Sequence, residues 1–331
     1  MTEAEQCLIV GHATIDEIWK WDASDPTLVT GGAAVYATCG AVLAGGDVRL
    51  VTIVGSDYDF DPLMHSAGGH IELAVERRLG ESIRNKCWYE TPEERRWEIL
   101  NWSTMVEMSP GEDKVAPFLD QASALVVCPT PVAVAAGTVD LARSHCAIIV
   151  LDTEVHYLSG IEERRELLST ASGGVYFAPS WAHLPLLLGN AALVPGGDLE
   201  PTVFDACLEY DVRHFVAKRG EFGCVVVDVH KRRWWEVPAV RSVDLIDPTG
   251  AGDAFDGGFA VALARSGDPV EAACWGAVSA SFMVEHRGGT VPSHFTPSLA
   301  RDRLVEVRSG LMTRDFGGAV SRSRGKEPLG R

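Results

Sequence analysis

The chain has 331 residues, 46% of them hydrophobic, and its 29 lysines and arginines face 46 aspartates and glutamates, for a net charge of −17. An excess of that size argues against a nucleic-acid backbone or an anionic membrane as partner, because either needs a broad basic surface, and any phosphorylated ligand has to be met by a local positive field. The length admits two domains, or one large α/β domain carrying a small insertion.

In chain order the elements begin with the apolar run CLIVG at 7–11, directly after MTEAEQ. This leaves no room for a secretory leader, and no apolar run approaches the roughly 18 residues needed to cross a bilayer; a cytoplasmic protein is expected. Similar runs follow: VRLVTIVG at 48–55, ALVVC at 124–128, AIIVLD at 147–152, GVYFAP at 174–179, HFVAKRG at 214–220 and GCVVVDV at 223–229. Continuous apolar strands alternating with helical patterns predict an α/β fold, a doubly wound, mostly parallel central sheet with helices on both faces. Ligands of such sheets bind beyond the C-terminal ends of the strands.

Two stretches interrupt this pattern, 12–30 and 83–108. Both are aromatic-rich and alternate apolar with polar residues, which predicts a small β-rich lid with one solvated face. Residues 312–331 end in SRSRGKEPLGR, lack apolar periodicity and are expected as a disordered tail behind a main domain of 1–311. The eight cysteines form no C-x-x-C pair, so they read as buried free thiols in a reducing compartment.

Three motifs carry chemistry. In GGAAVYATCGAVLAGG, Gly31 and Gly32 precede a small-residue helix, so either a ligand or another backbone can approach closely there. In VAKRGEFGCVVVD, Lys218, Gly220 and Gly223 connect two strands, either as a plain hairpin or as a surface for a nucleotide. In DPTGAGDAFDGGF, Gly250, Ala251 and Gly252 open a helix whose unpaired amides and dipole make an anion site, with Asp253 projecting from the first turn beside it. Gly257 and Gly258 further along let that helix pack closely.

The last motif resembles the C-terminal signature of the ribokinase-like (PfkB-type) sugar and nucleoside kinases, and the first resembles that family's N-terminal glycine motif. Asp16 after the first strand precedes the glycine motif, and VTIVGSDYD and KRGEFG fall between the two motifs, all in the family's order, so the resemblance covers roughly residues 7–295. It implies Asp253 as the base that takes a proton from a substrate hydroxyl attacking ATP, and Gly250, Ala251 and Gly252 as the anion hole. It implies substrate contacts at Asp16, Gly31 and Gly32, a nucleotide loop at Lys218, Gly220 and Gly223, and a monovalent-cation site, K⁺ in some members, near Asp247 and Thr249. It also implies Mg²⁺ held mainly by ATP and water, and a homodimer formed through the lids, with Trp19, Trp21, Trp88 and Trp97 as candidates for burial there.

The chain departs from the family where Asn-x-x-Glu is usual. Ser180 and His183 stand in those places, leaving Ser180 to hold a water on magnesium. Tyr36 stands where many members have asparagine and is expected to bond a substrate hydroxyl; Asn85 and Arg96 on the second lid stretch are expected to read the substrate too. The expectation is an ATP-dependent kinase phosphorylating an alcohol of a sugar or cyclitol. The alternatives are a nucleoside kinase and, in another class, a catalytically silent ligand-binding member of the fold.

Overall fold

The computed structural model describes residues 6–19, 24–89, 95–189, 200–241, 243–315 and 321–322. The strands in chain order are β1 (Gln6–Val10), β2 (Thr14–Trp19), β3 (Thr27–Gly31), β4 (Asp47–Gly55), β5 (Ile71–Arg78), β6 (Ile83–Tyr89), β7 (Arg95–Ile99) and β8 (Ala124–Val127). They continue with β9 (Ile149–Leu151), β10 (Gly173–Phe177), β11 (Val212–Lys218), β12 (Cys224–Asp228), β13 (Arg233–Val237), β14 (Met312–Asp315) and β15 (Ser321–Arg322).

Eleven of these strands form one sheet in the order β15-β14-β13-β12-β11-β10-β9-β8-β1-β4-β5, parallel from β11 to β5 and antiparallel from β11 outward to β15. The seven apolar runs of the sequence become β1, β4 and β8 to β12, which are largely buried apart from the half-buried β10. The strands the runs missed lie toward the edges. In β5, IELAVERR is mostly half-buried, so its apolar run is diluted by charges that reach solvent.

The segment expected as a tail starts instead as part of the sheet. Met312–Asp315 pairs antiparallel with β13, from Glu236↔Met312 to Arg233↔Asp315, and Ser321–Arg322 pairs with β14. Pairing there satisfies the free edge of β13 through main-chain hydrogen bonds, which need no apolar periodicity. Residues 316–320 and 323–331 lie outside the described residues.

The lid is a separate four-stranded sheet, β3-β2-β6-β7, in which β2 and β6 run parallel. The second lid stretch is strand only as far as Ile99; Trp102–Glu107 is a short helix rather than sheet. All eight cysteines are buried and free. Among the described residues no helix is long and apolar enough to cross a membrane.

Two hydrophobic cores lie on the two faces of the large sheet. On one face the glycine-motif helix Ala33–Leu43 packs against the signature helix Ala251–Ser266, which packs in turn on Pro269–Met283. Every residue of Ala33–Leu43 after Ala33 is buried, which explains why it is built from alanine, glycine and other small side chains. A Cβ on Gly257 would overlap the carbonyl oxygen of Ala37, and one on Gly40 would overlap that of Ala254. The two helix backbones therefore touch.

Gly257→Ala is accordingly expected to destabilise the fold by about 1–3 kcal/mol or more, outweighing the smaller gain from stiffening the unfolded chain. Denaturant unfolding measures this. An unchanged midpoint would mean that the helices are not in backbone contact.

Candidate active site

The helix contact places the start of Ala251–Ser266 beyond the C-terminal ends of the central strands. Gly250 caps the helix in the left-handed region (φ 75°), and the Tyr36 ring occupies the space where a Cβ would stand. Only glycine meets both conditions. The first i→i−4 bond of the helix is donated by Ala254 to the Gly250 carbonyl at 2.9 Å, so the amides before it lack that partner. Of the expected anion-hole amides, that of Ala251 donates to the Pro248 carbonyl at 3.3 Å.

Asp253 lies in the first turn. Its carboxyl is pushed up to about 7, mainly by burial and then by the charge of Asp152, with Lys218 opposing and Glu154 adding to the rise. A carboxylate that takes up a proton near neutrality is what a general base at physiological pH requires.

Facing it across the pocket is the lid. The parallel register of β2 and β6 sets Asp16 beside Asn85. Asp16 Oδ1 accepts from Thr14 Oγ1 at 2.8 Å and from Asn85 Nδ2 at 2.9 Å, which fixes the carboxylate's direction. One pocket is lined by Asp16, Tyr36, Asn85, Trp97, Glu154 and Asp253, so the structure brings together the lid residues and the helix start.

The glycine pair has two different roles. A Cβ on Gly31 would crowd the Tyr36 hydroxyl and Asp16 Oδ2, at 3.0 and 3.1 Å. Gly32 (φ 101°) lies against the backbone of residues 12–14 and also lines the pocket. Tyr36 is buried, and burial followed by the charges of Asp16 and Asp247 holds its hydroxyl protonated far above the usual range.

Arg96 does not join the pocket. Alternation along β7 puts it on the face opposite Trp97, exposed and across from Trp88 of β6. Lys218, expected to meet the nucleotide, turns inward: its Nζ lies 2.7 Å from Asp152 Oδ2 and 2.6 Å from Asp256 Oδ2. Gly220 (φ 56°) and Gly223 (φ 80°) shape the turn joining antiparallel β11 and β12, where Phe222 is 69% exposed. Asp247 is buried, accepts from the Thr249 amide at 2.9 Å and donates its own amide to the Val284 carbonyl at 3.0 Å.

Ser180 bridges to Lys218 through backbone, and His183 sits three residues on, its Nε2 3.7 Å from Glu154 Oε2. Burial alone would raise the Glu154 carboxyl, but the hydrogen bond from His156 and the charges of His183 and His156 hold it below the usual range. A carboxylate thus stands beside residue 183, although residue 183 itself is not acidic.

The sequence reading missed Asp152, Glu154, Asp256 and His12. His12 is buried, bonded through Nε2 to Ser109 Oγ (2.9 Å) and through Nδ1 to the Tyr157 hydroxyl (3.2 Å); burial pushes it down to about 4, so it is neutral. His12, Asp152 and Glu154 follow directly on β1 and β9, where the strand-end rule already pointed.

The sheet order and the separate lid are those of the ribokinase fold, and the family and relatives that match the chain make the class a kinase acting on sugars or nucleosides. The chain belongs to the pfkB family of carbohydrate kinases, whose sequence model matches residues 4–295. A cytidine kinase of Thermococcus kodakarensis is 25% identical over 289 residues, covering 80% of this chain and 90% of that protein. A 2-dehydro-3-deoxygluconokinase of Escherichia coli is 33% identical over 89 residues, 26% of this chain and 28% of that protein. The structure of Arabidopsis thaliana ribokinase complexed with ribose and ATP superposes with a TM-score of 0.71 at 16% identity, over 91% of this chain and 98% of that one.

An aspartate whose carboxyl rises from 3.8 to about 7 on folding binds its proton more tightly in the native state. Its ionisation therefore withdraws stability as pH climbs between those values, and the full loss is present above the upper one. Asp253→Asn, which cannot ionise, should unfold at a higher temperature than the unsubstituted chain, with the larger gain at pH 8 than at pH 5. Equal gains at both would show that Asp253 is not desolvated as described.

Proposed function

We propose that this chain is an ATP-dependent kinase whose acceptor is an uncharged, polyhydroxylated molecule, a sugar or cyclitol. The reading is carried by one observation: Asp253 at a helix start shares a pocket with an Asp16 aimed by Thr14 and Asn85. Asp253 takes the proton of the attacking hydroxyl, while the helix-start amides at Gly250 and Gly252 meet the charge of the transferred phosphoryl group. Positioning and charge stabilisation of this kind supply most of the rate in phosphoryl transfer.

The lining argues for the charge of the acceptor. Asp16, Glu154 and Asp253 are carboxylates, His12 is neutral, and no lysine or arginine lines the pocket among the described residues. Asn85 Oδ1 is buried without a hydrogen-bond partner. Such acceptors call for hydroxyl or N–H donors and repel a carboxylate or phosphate on the substrate.

The oxygen donors near the helix start, the carboxylates of Asp152, Glu154 and Asp253 and the Ser180 hydroxyl, are of the type magnesium takes. Magnesium bound with the nucleotide supplies charge neutralisation on the phosphates, and Ser180 is the residue we assign to one of its waters. Gly220 and Gly223 border the nucleotide, and Asp247 and Thr249 are assigned to a monovalent cation such as K⁺.

A nucleoside is the second reading. Trp97 forms part of the pocket wall and is stacked on His156 (ring centroids 4.7 Å apart, planes 10° apart), a flat surface for a base. The extended similarity to a cytidine kinase supports it as well. The catalytically silent alternative is weakened by Glu154, which keeps a carboxylate beside His183. We also propose a cytoplasmic homodimer joined through the outer lid face, where Lys86 Nζ lies 4.8 and 4.7 Å from the Trp19 and Trp88 rings; Trp97 faces the pocket instead, and Trp21 lies outside the described residues.

ADP release with a panel of neutral sugars, cyclitols, nucleosides and sugar acids tests the substrate reading. Turnover is expected with neutral acceptors and weak or absent with 2-dehydro-3-deoxygluconate; preference for the acid would overturn it. Turnover should rise with pH through about 7 as Asp253 loses its proton. Asp253→Asn should lower kcat roughly 10²–10⁴-fold while ATP binding by calorimetry is retained.

A further inference from the structure

The outer strand of the lid, β7, pairs on one side only, with β6. Its inward residue Trp97 nevertheless leans on the main body, because the indole is stacked on the His156 ring with centroids 4.7 Å and planes 10° apart. His156 belongs to the turn Val155–Tyr157 that follows β9. Its Nδ1 lies 3.2 Å from Glu154 Oε1, and that oxygen also accepts from the Val155 amide at 2.8 Å, so the imidazole is aimed by a carboxylate that is itself fixed to the turn. The next residue, Tyr157, meets the helix Trp102–Glu107 at the foot of the lid. Its ring lies 5.8 Å from that of Trp102 and its hydroxyl 2.6 Å from Met105 Sδ. One turn of the main body thus holds the lid both at its outer strand and at the helix behind it.

Trp97, Met105, Glu154 and Tyr157 line the pocket, whereas His156 does not. The side chain of His156 remains 40% exposed, so it fills no core. Ile18 and Cys87, the neighbours of Trp97 on the inner lid face, are 3% and 8% exposed and pack within the lid itself. Trp97 is the residue of that face whose ring is carried by the body.

We propose that His156 is a positioning residue for the acceptor site: its ring, aimed by Glu154, holds Trp97 and with it the outer lid strand over the pocket. This rests on the kinase reading above. Stacked aromatic pairs contribute beyond the area they bury, and without this one β7 is tethered on its paired side alone. A strand held less firmly there grips the acceptor less well and admits water. Water then competes for the transferred phosphoryl group, giving ADP and inorganic phosphate in place of the phosphorylated acceptor.

The test compares His156→Ala, His156→Phe and His156→Gln in the full chain at one pH, with the best acceptor of the panel. Kinetics give KM for acceptor and for ATP, and the acceptor phosphorylated per ADP released gives the coupling. Hydrogen exchange of residues 83–89 and 95–99 by mass spectrometry reports how firmly the lid is held and needs no turnover. His156→Ala should raise the acceptor KM roughly 2- to 10-fold, lower the coupling and speed exchange in 95–99, with KM for ATP unchanged. His156→Phe, which keeps a flat ring, should restore most of all three; His156→Gln, which keeps a hydrogen-bonding group without the ring, should behave as His156→Ala. Unchanged exchange in His156→Ala, rescue by glutamine, no rescue by phenylalanine, or faster exchange with KM and coupling unchanged would each overturn the proposal. Absence of turnover in the unsubstituted chain would sink the kinase reading instead, and the exchange rates of the three variants would then decide whether His156 holds the lid.

Discussion

The backbone contact between Ala33–Leu43 and Ala251–Ser266 is the constraint on which the site depends. With Gly40 against the Ala254 carbonyl and Gly257 against the Ala37 carbonyl, neither helix can slide or rotate without a clash. The contact fixes where the second helix starts. Gly250 then lies against the Tyr36 ring, and Tyr36 lies against Gly31 and Asp16, so one packing decision aligns the helix start with the lid.

Charge is distributed around that start at a cost. Asp152, Asp253 and Asp256 are all withdrawn from water near a single ammonium, in a chain already carrying a charge of −17. Burial of unbalanced carboxylates disfavours folding, yet it is what brings an aspartate's proton affinity near neutrality. The lid handles the same problem differently. Asp16 is buried too, but receives two hydrogen bonds from Thr14 and Asn85 that orient it. One carboxylate is made basic by poor solvation, the other directional by good bonding.

Much of this was legible in the sequence. The seven central strands are mostly buried and mostly apolar, and all were found because burial on both faces favours a continuous apolar run. The strands toward the two edges, β5 on one side and β13, β14 and β15 on the other, were missed because partial burial and main-chain pairing leave only a faint apolar pattern. The unusual helix start at Gly250–Asp253 was legible because glycines there are costly unless a left-handed turn or a close approach requires them, as at Gly250 against the Tyr36 ring. Arg96 was misread as a pocket residue because attraction to a charged side chain overrode the period of two along β7, which puts Trp97 inward and its neighbour outward. Lys218 was placed in the nucleotide loop by resemblance, whereas its Nζ turns inward, and nothing local reveals the two buried carboxylates that meet it.

The sequence by itself determined the seven central strands, the lid stretches and the order of the motifs, since each depends on local periodicity or on residues a few positions apart, and the resemblance of those motifs to a family gave the type of chemistry. Tertiary structure alone decided which side chains share the site. Asp152, Lys218 and Asp256 are separated by 66 and 38 positions along the chain, and Asp16 finds Asn85 only through the register of two parallel strands. Burial and register are properties of the packed chain, and burial is what raises the proton affinity of an ordinary aspartate at position 253.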